Sequence, residues 1–318
     1  MKRVFICFLI ALVSLGAVGC GQEADTPDTT KIVNIGVMPD VESIPFIIAE
    51  KNGYFEEQGV QVNIEHFKSA SDRDSALQSG QLDGVVSDVL AIVFANEGGF
   101  DLRMISKTDG NIDLLAGKDS GIESVKDLTD KSVGMSLNTV MEYTVDQMLL
   151  ASKISAEDAD NVKNIEKMAI PKLPTRLEML QNDKIDAAIL PEPLAGLAVG
   201  NGARVLTSTD ELGEKAIVIA FIDKSLQENP EEIKAVFRAY NDAVAYLAKA
   251  PLADYVDYII EEQGFPEGMK NSINLPQYNN ATLPSEEMFN HVVQWMQGKQ
   301  LIENDYEYND LINDQVLR

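Results

Sequence analysis

Cysteine is nearly absent: of 318 residues only Cys7 and Cys20 carry a thiol. A body without cysteine holds neither an internal disulfide nor a thiolate metal site. Histidine is as scarce, and His66 and His291 lie in different regions, each expected on a strand or helix surface rather than as a ligand or base. There is no metal-ligand spacing, no Gly-x-Ser-x-Gly elbow and no phosphate-binding glycine loop, so no cofactor and no enzymatic reaction are expected. Positive charge is short as well, with 26 basic residues against 51 acidic ones and a formal net charge of −25. Nucleic acid and anionic membrane surfaces demand a basic face, and neither is an expected partner. The one long apolar run, Val4 to Val13, is too short for a comfortable transmembrane span.

That run instead reads as part of an address. Lys2-Arg3 precede it and the small or apolar residues Ser14 to Gly19 follow, the layout of an export signal over residues 1–19. Ala17-Val18-Gly19-Cys20 resembles a bacterial lipobox, with Ala17 where the pattern usually has Leu, and implies lipidation of Cys20. The following stretch, GQEADTPDTT, is small and polar without periodicity, so residues 20–30 read as a lipidated flexible tether and the fold should start near Lys31.

Length and a 45% hydrophobic content favour two domains. An internal repeat supports this. Arg73 to Ala91, RDSALQSGQLDGVVSDVLA, is echoed by Arg176 to Ala195, RLEMLQNDKIDAAILPEPLA. Each reads as helix, polar turn, short buried strand and acidic loop. In open α/β sheets ligands bind beyond the carboxyl ends of the strands, which makes Ser87-Asp88 and Pro191-Glu192-Pro193 candidates for facing one another across a cleft.

The rest of the chain fits two such units. In the first, strands are predicted at Ile32 to Val37, Gln61 to Phe67, Leu82 to Ser87 and Leu102 to Ser106, with helices at Ile44 to Lys51, Arg73 to Ser79 and Asp88 to Ala95. In the second, strands are predicted at Ile112 to Ala116, Ser132 to Met135, Asn164 to Ala169 and Ile185 to Leu190, with helices at Met141 to Ser152 and Thr175 to Gln181. This order implies mostly parallel sheets flanked by helices. Ala216 to Ile222 reads as a buried strand and Asn229-Pro230 opens a helix to Leu247. The expected division is residues 31–111 and 224–318 as lobe 1 and 112–223 as lobe 2, with hinge crossings near Asp109 to Asp113 and Phe221 to Lys224.

AEKNGYFEEQGVQV, ALQSGQLDGVVSD, VKDLTDKSVGM, LQNDKIDAAILPEP and NPEEIKAVFRAYNDAVAYL, in this order, resemble the substrate-binding proteins of ABC importers, in the group that includes sulfonate, taurine, nitrate and thiamine-pyrimidine binders. The resemblance implies a type II periplasmic-binding-protein fold that closes over a small-molecule ligand, a monomer, and delivery to an ABC permease and its ATPase. It also implies ligand contacts from the strand-end loops: Pro39, Asp40, Glu42 and Ser43; Ser69 and Ser71; Ser87 and Asp88; Asn138, Thr139, Glu142 and Tyr143; and Glu192. Asn138 and Thr139 sit where helix caps also occur. Glu192, between two prolines, is a rigidly presented carboxylate or a solvent-exposed turn.

Arg73 and Arg176 start helices at the cleft end, so they could clamp an anion or pair with acidic neighbours. Asp83 and Asp186 precede their strands on the far side and are assigned to turns and capping. The loop carboxylates Asp40, Glu42, Asp88, Glu142 and Glu192 outnumber the two arginines, which favours an amine-bearing or heterocyclic solute over an oxoanion such as a sulfonate or nitrate. Two readings of other classes are a thiamine-pyrimidine synthase, whose relatives use a lysine-bound cofactor and a Cys-rich motif absent here, and an adhesive or structural lipoprotein.

Overall fold

The computed structural model describes residues 31–152 and 165–318. The expected signal segment, Cys20, the expected tether and Asn164 lie outside the described residues. The strands are β1 Ile32–Val37, β2 Gln61–His66, β3 Gly84–Asp88, β4 Leu102–Lys107, β5 Ile112–Ala116, β6 Ser132–Met135, β7 Glu166–Ala169, β8 Ala187–Pro191, β9 Arg204–Ser208 and β10 Ile217–Ile222. They form two five-stranded sheets, ordered β2-β1-β3-β10-β4 and β7-β6-β8-β5-β9. The principal helices are α1 Ile44–Lys51, α2 Ala70–Gln78, α3 Val89–Glu97, α4 Val140–Ala151, α5 Leu173–Gln181, α6 Leu194–Gly200, α7 Pro230–Leu247, α8 Val256–Glu262 and α9 Glu286–Gly298.

Each sheet is mixed rather than built of parallel pairs alone. β1 pairs in parallel with β2 and β3, and β6 with β7 and β8, whereas β10 runs antiparallel to β3 and β4, and β5 antiparallel to β8 and β9. The reason lies in the crossings. β4 ends at the carboxyl edge of the first sheet, so a strand entering the second sheet directly from that edge must run back against its neighbours; β9 and β10 repeat this in reverse.

One expected boundary is corrected by this topology. β10 belongs to the first sheet, so the second crossing is Thr209 to Ala216 and not Phe221 to Lys224. The two crossings bind each other: Thr108 N donates to Ile217 O at 3.1 Å, Ile112 N to Thr209 Oγ1 at 3.0 Å, and Lys215 Nζ to Asp109 O at 2.6 Å. α6 and β9 carry no clear signal in the sequence. β9 carries exposed Arg204 and Val205, so it lacks apolar alternation, and α6 is a run of small residues, Leu-Ala-Gly-Leu-Ala-Val-Gly.

Both sheets are buried on two faces, as side-chain alternation requires. Ile219 and Phe221 of β10 join the cluster under α1 and α7, while Val218 and Ala220 join that under α3 and α9. In the second sheet Ala187 and Ile189 face the α4 side, and Ala188 and Leu190 face α5 and α6.

Candidate functional site

The repeat is first a device for fixing strand ends. Arg73 donates to Val86 O at 2.8 Å and to Ser87 Oγ at 2.8 Å, and is gripped by Asp74. Arg176 donates to Ile189 O at 2.7 Å, Ile170 O at 2.8 Å and Ser136 Oγ at 2.7 Å. Room for each comes from a glycine on the neighbouring strand: a Cβ at Gly36 or at Gly134 would lie 3.2 Å from the Cγ of Arg73 or Arg176 respectively. Asp83 and Asp186 match as well, accepting from Asn34 N and Ser132 N at 2.9 Å each. Both arginines are buried; Arg73 pairs with its acidic neighbour Asp74 besides a carbonyl and a hydroxyl, and Arg176 is spent on carbonyls and a hydroxyl. The aspartates tie strand starts together.

The loop after β1 is tightly self-bonded. Asp40 Oδ1 accepts from Glu42 N at 3.1 Å and Ser43 N at 3.3 Å, and Ser43, fully buried, donates to Met38 O while accepting from Gln263 Nε2 at 2.8 Å. Ser43 thus closes the loop rather than facing a ligand, and Pro39 is half-buried beside it. Burial, then the nearby Glu42, pushes the Asp40 carboxyl up to about 7. Glu42 reaches the hinge, where its Oε2 accepts from Gly110 N at 2.9 Å; burial raises it too.

After β2, α2 starts at Ala70, three residues earlier than expected, because Ser69 caps it by accepting from Asp72 N at 3.2 Å. Ser71 is exposed inside the first turn, and its carbonyl takes the Ser75 hydroxyl. Asp88 caps α3 through Ala91 N at 2.9 Å, and burial raises its carboxyl. Ser87, Asp88, Asn138 and Thr139 line, with Arg73 and Asp74, a cavity of about 280 Å³ walled by Leu77, Phe94 and Phe100, so loops of both sheets meet there, but Pro191, Glu192 and Pro193 do not line it.

In the second sheet, Thr139 caps α4 by accepting from Met141 N, and Asn138 adopts a left-handed φ of 56° and donates its N–H to Glu142 at 2.7 Å. Glu142 also binds Lys167 at 2.8 Å and Lys299, the residue that caps the end of the first lobe's α9, at 2.6 Å. Burial alone would raise it, but the hydrogen bonds from Lys167 and Lys299 hold it down to about 2. Tyr143 stacks edge-on with Trp295 at 5.8 Å and its hydroxyl donates to Glu214, while Trp295 Nε1 donates to Asp146 at 2.9 Å. Glu142 and Tyr143 are therefore inter-lobe packing groups with full sets of partners.

Glu192 differs. It is 3% exposed, not a solvent-exposed turn, and its Oε2 accepts from Gly196 N at 3.0 Å. No cation reaches it among the described residues. Burial first, then Asp113, pushes it up to about 7. Glu192 N donates to Asn111 O at 3.2 Å, next to Gly110, so Glu42 and Glu192 flank one short piece of hinge.

Asp113, missed from sequence, is a charge inside the apolar strand Ile-Asp-Leu-Leu-Ala, and that anomaly was the available signal. Burial, with Asp210 and Glu211 nearby, raises it to about 6. Asp109, which holds Asn279 through both its oxygens at 2.7 and 2.8 Å, carried no comparable signal. Among the described residues no group of three His, Cys, Asp or Glu side chains could hold a metal ion. His66 and His291 are surface residues, each 3.4 Å from a glutamate.

Two mixed sheets whose carboxyl edges are joined by paired crossings define the periplasmic-binding-protein fold, a class that holds small molecules between lobes. The chain belongs to the NMT1/THI5-like family, whose description matches residues 40–253. A putative ABC transporter periplasmic binding protein of Brachyspira hyodysenteriae is 24% identical over 266 residues, spanning 78% of this chain and 73% of the relative. A 4-amino-5-hydroxymethyl-2-methylpyrimidine phosphate synthase of Saccharomyces cerevisiae is also 24% identical, over 264 residues, 76% of this chain and 73% of that one. Among solved structures, the periplasmic aliphatic sulphonate binding protein of Escherichia coli superposes with a TM-score of 0.72 at 16% identity, covering 89% of this chain and 92% of that one.

Proposed function

We propose that this protein is an extracytoplasmic solute-binding component of an ABC importer, lipid-anchored at Cys20, which captures a small amine-bearing or nitrogen-heterocyclic molecule between its lobes. The observation that carries the ligand class is the set of carboxylates at the facing strand ends, Glu42, Asp113 and Glu192 buried and Asp40 and Asp88 half-buried, each pushed upward by loss of water. A buried carboxylate short of partners is stabilised by an arriving cation or N–H donor. An oxoanion would meet these groups with Arg73 and Arg176 already spent, although the Escherichia coli neighbour's name keeps sulfonates as the second reading. The binding reading is favoured over the yeast relatives' synthase activity by a body without cysteine. Ligand bridging both lobes favours the closed state.

Isothermal titration compares 4-amino-5-aminomethyl-2-methylpyrimidine and benzylamine with methanesulfonate and nitrate. Binding of an amine and not of the anions is expected; tight binding of methanesulfonate with no amine response overturns the ligand class. Scattering should give a smaller radius with the bound amine. Cys20→Ser should move the protein from the membrane fraction to the medium or periplasm.

A further inference from the structure

Gly196 is the third residue of α6 and does two things for Glu192. Its N–H donates to Glu192 Oε2 at 3.0 Å. Its missing side chain leaves room for the first lobe: a Cβ there would stand 2.3 Å from the carbonyl oxygen of Ser272 and 3.0 Å from Glu192 Oε2. A 2.3 Å contact with a backbone atom cannot be relieved by a rotamer change. The glycine is not needed for conformation, because Gly196 is helical with no positive φ, while Gly200 in the same helix meets nothing within 4 Å.

The Ser272 segment is anchored in the first lobe. Ile273 and Met269 are buried in the cluster that contains β1 and α7, and Leu194 and Leu197 of α6 pack against that cluster from the other side. The seam therefore lies directly over the carboxylate.

We propose that Gly196 is a positioning residue for Glu192: its amide holds the carboxylate, and its bare Cα lets Ser272 of the opposite lobe close over it. The carboxylate stays dry until the lobes part and an incoming N–H donor or cation takes the place of the cover. This deepens the reading of Glu192 as a ligand contact and rests on it. The titratable group facing Glu192 is Asp113 of β5, itself raised by burial and by Asp210 and Glu211; α6 carries none, and the covering segment adds the neutral Asn274 side chain, whose hydrogen bond to Glu192 works against the rise.

The test follows the Glu192 carboxyl by carbon-13 NMR in glutamate-labelled protein, with Glu192→Gln identifying the resonance. The wild type and Gly200→Ala should titrate near pH 7. Gly196→Ala keeps the amide but props the seam open, so its midpoint should fall towards the ordinary glutamate value of about 4.3. Ile273→Ala, which loosens the Ser272 segment without touching α6, should move it the same way by a smaller step. Midpoints in both variants equal to that of Gly200→Ala overturn the proposal. Affinity for 4-amino-5-aminomethyl-2-methylpyrimidine is measured in parallel: if Glu192→Gln leaves it unchanged, the ligand-contact reading fails, while the cover is judged on the titration.

Discussion

Two buried glutamates of the second lobe, Glu142 and Glu192, are each 3% exposed, and both sit where the first lobe leans on them. At the α4–α9 seam, Glu142 is held by Lys167, Lys299 and a backbone amide and lies near 2. At the α6 seam, Glu192 has the neutral donors Gly196 N and the Asn274 side chain as partners and lies near 7. Burial is common to both, so burial does not mark the functional group. What separates them is whether the desolvated charge already has its counter-ion. The first seam pairs its carboxylate with two lysines, whereas the second holds a carboxylate with neutral donors alone among the described residues.

The two seams differ in kind only if the α4–α9 seam contributes to stability. Trp295→Ala removes the edge-on contact with Tyr143 and the bond to Asp146. It should cost about 3 kcal/mol, the range for losing a packed aromatic. Urea melts check this, and a loss below about 1 kcal/mol would reduce the seam to a surface contact. Glu142→Ala should cost somewhat less, about 2 kcal/mol, because the two lysines it releases are 28% and 31% exposed in their side chains and recover part of their hydration. In neither variant should the pH dependence of amine binding change.

Much of this contrast could not be read from the chain. The strands, most helices and the two-unit plan were legible because Gly84-Val85-Val86 and Ala187-Ala188-Ile189 are short apolar runs behind helices, and because the repeat carried its arginine and aspartate in register. The role of Arg73 and Arg176 was not legible, since a helix-start arginine looks the same whether it faces a ligand or a carbonyl. The lysine partners of Glu142 lie 25 and 157 positions away, at Lys167 and Lys299, and only folding brings them together. The glycine at 196 gave no turn signal because its function is clearance.

A smaller effect sharpens the comparison through pH. Asp40 and Glu192 near 7 and Asp113 near 6 are raised above their unfolded values of about 4. The folded state therefore holds more protons between those limits, and the stability that follows is full below about pH 4 and lost as pH rises through 7. Glu142 has the opposite sign, but its contribution is lost only as pH falls from its unfolded value towards 2, outside this window. The free protein should thus melt higher at pH 5.5 than at pH 8, and saturating amine should narrow the gap by stabilising the ionised forms. A melting temperature that falls between pH 8 and pH 5.5 would show that these carboxylates are paired in solution.

The smallest expected effect discriminates best. Glu192→Gln keeps the side-chain shape and an oxygen for the Gly196 amide, and it removes the charge that burial penalises. At pH 8 the variant should be more stable than wild type by about 1 kcal/mol or more; the advantage should shrink as the pH falls and vanish only below about pH 4, where the wild-type carboxyl is protonated in the folded and the unfolded protein alike. Glu142→Gln, the matched change at the other seam, should lose stability at pH 8 and at pH 5.5 alike because its lysines need the charge throughout. A carboxylate whose neutral isostere improves the empty protein while abolishing amine binding is held for a ligand rather than for the fold. If Glu192→Gln instead destabilises the protein at pH 8 as Glu142→Gln does, then Glu192 has a structural counter-ion and the two seams are alike.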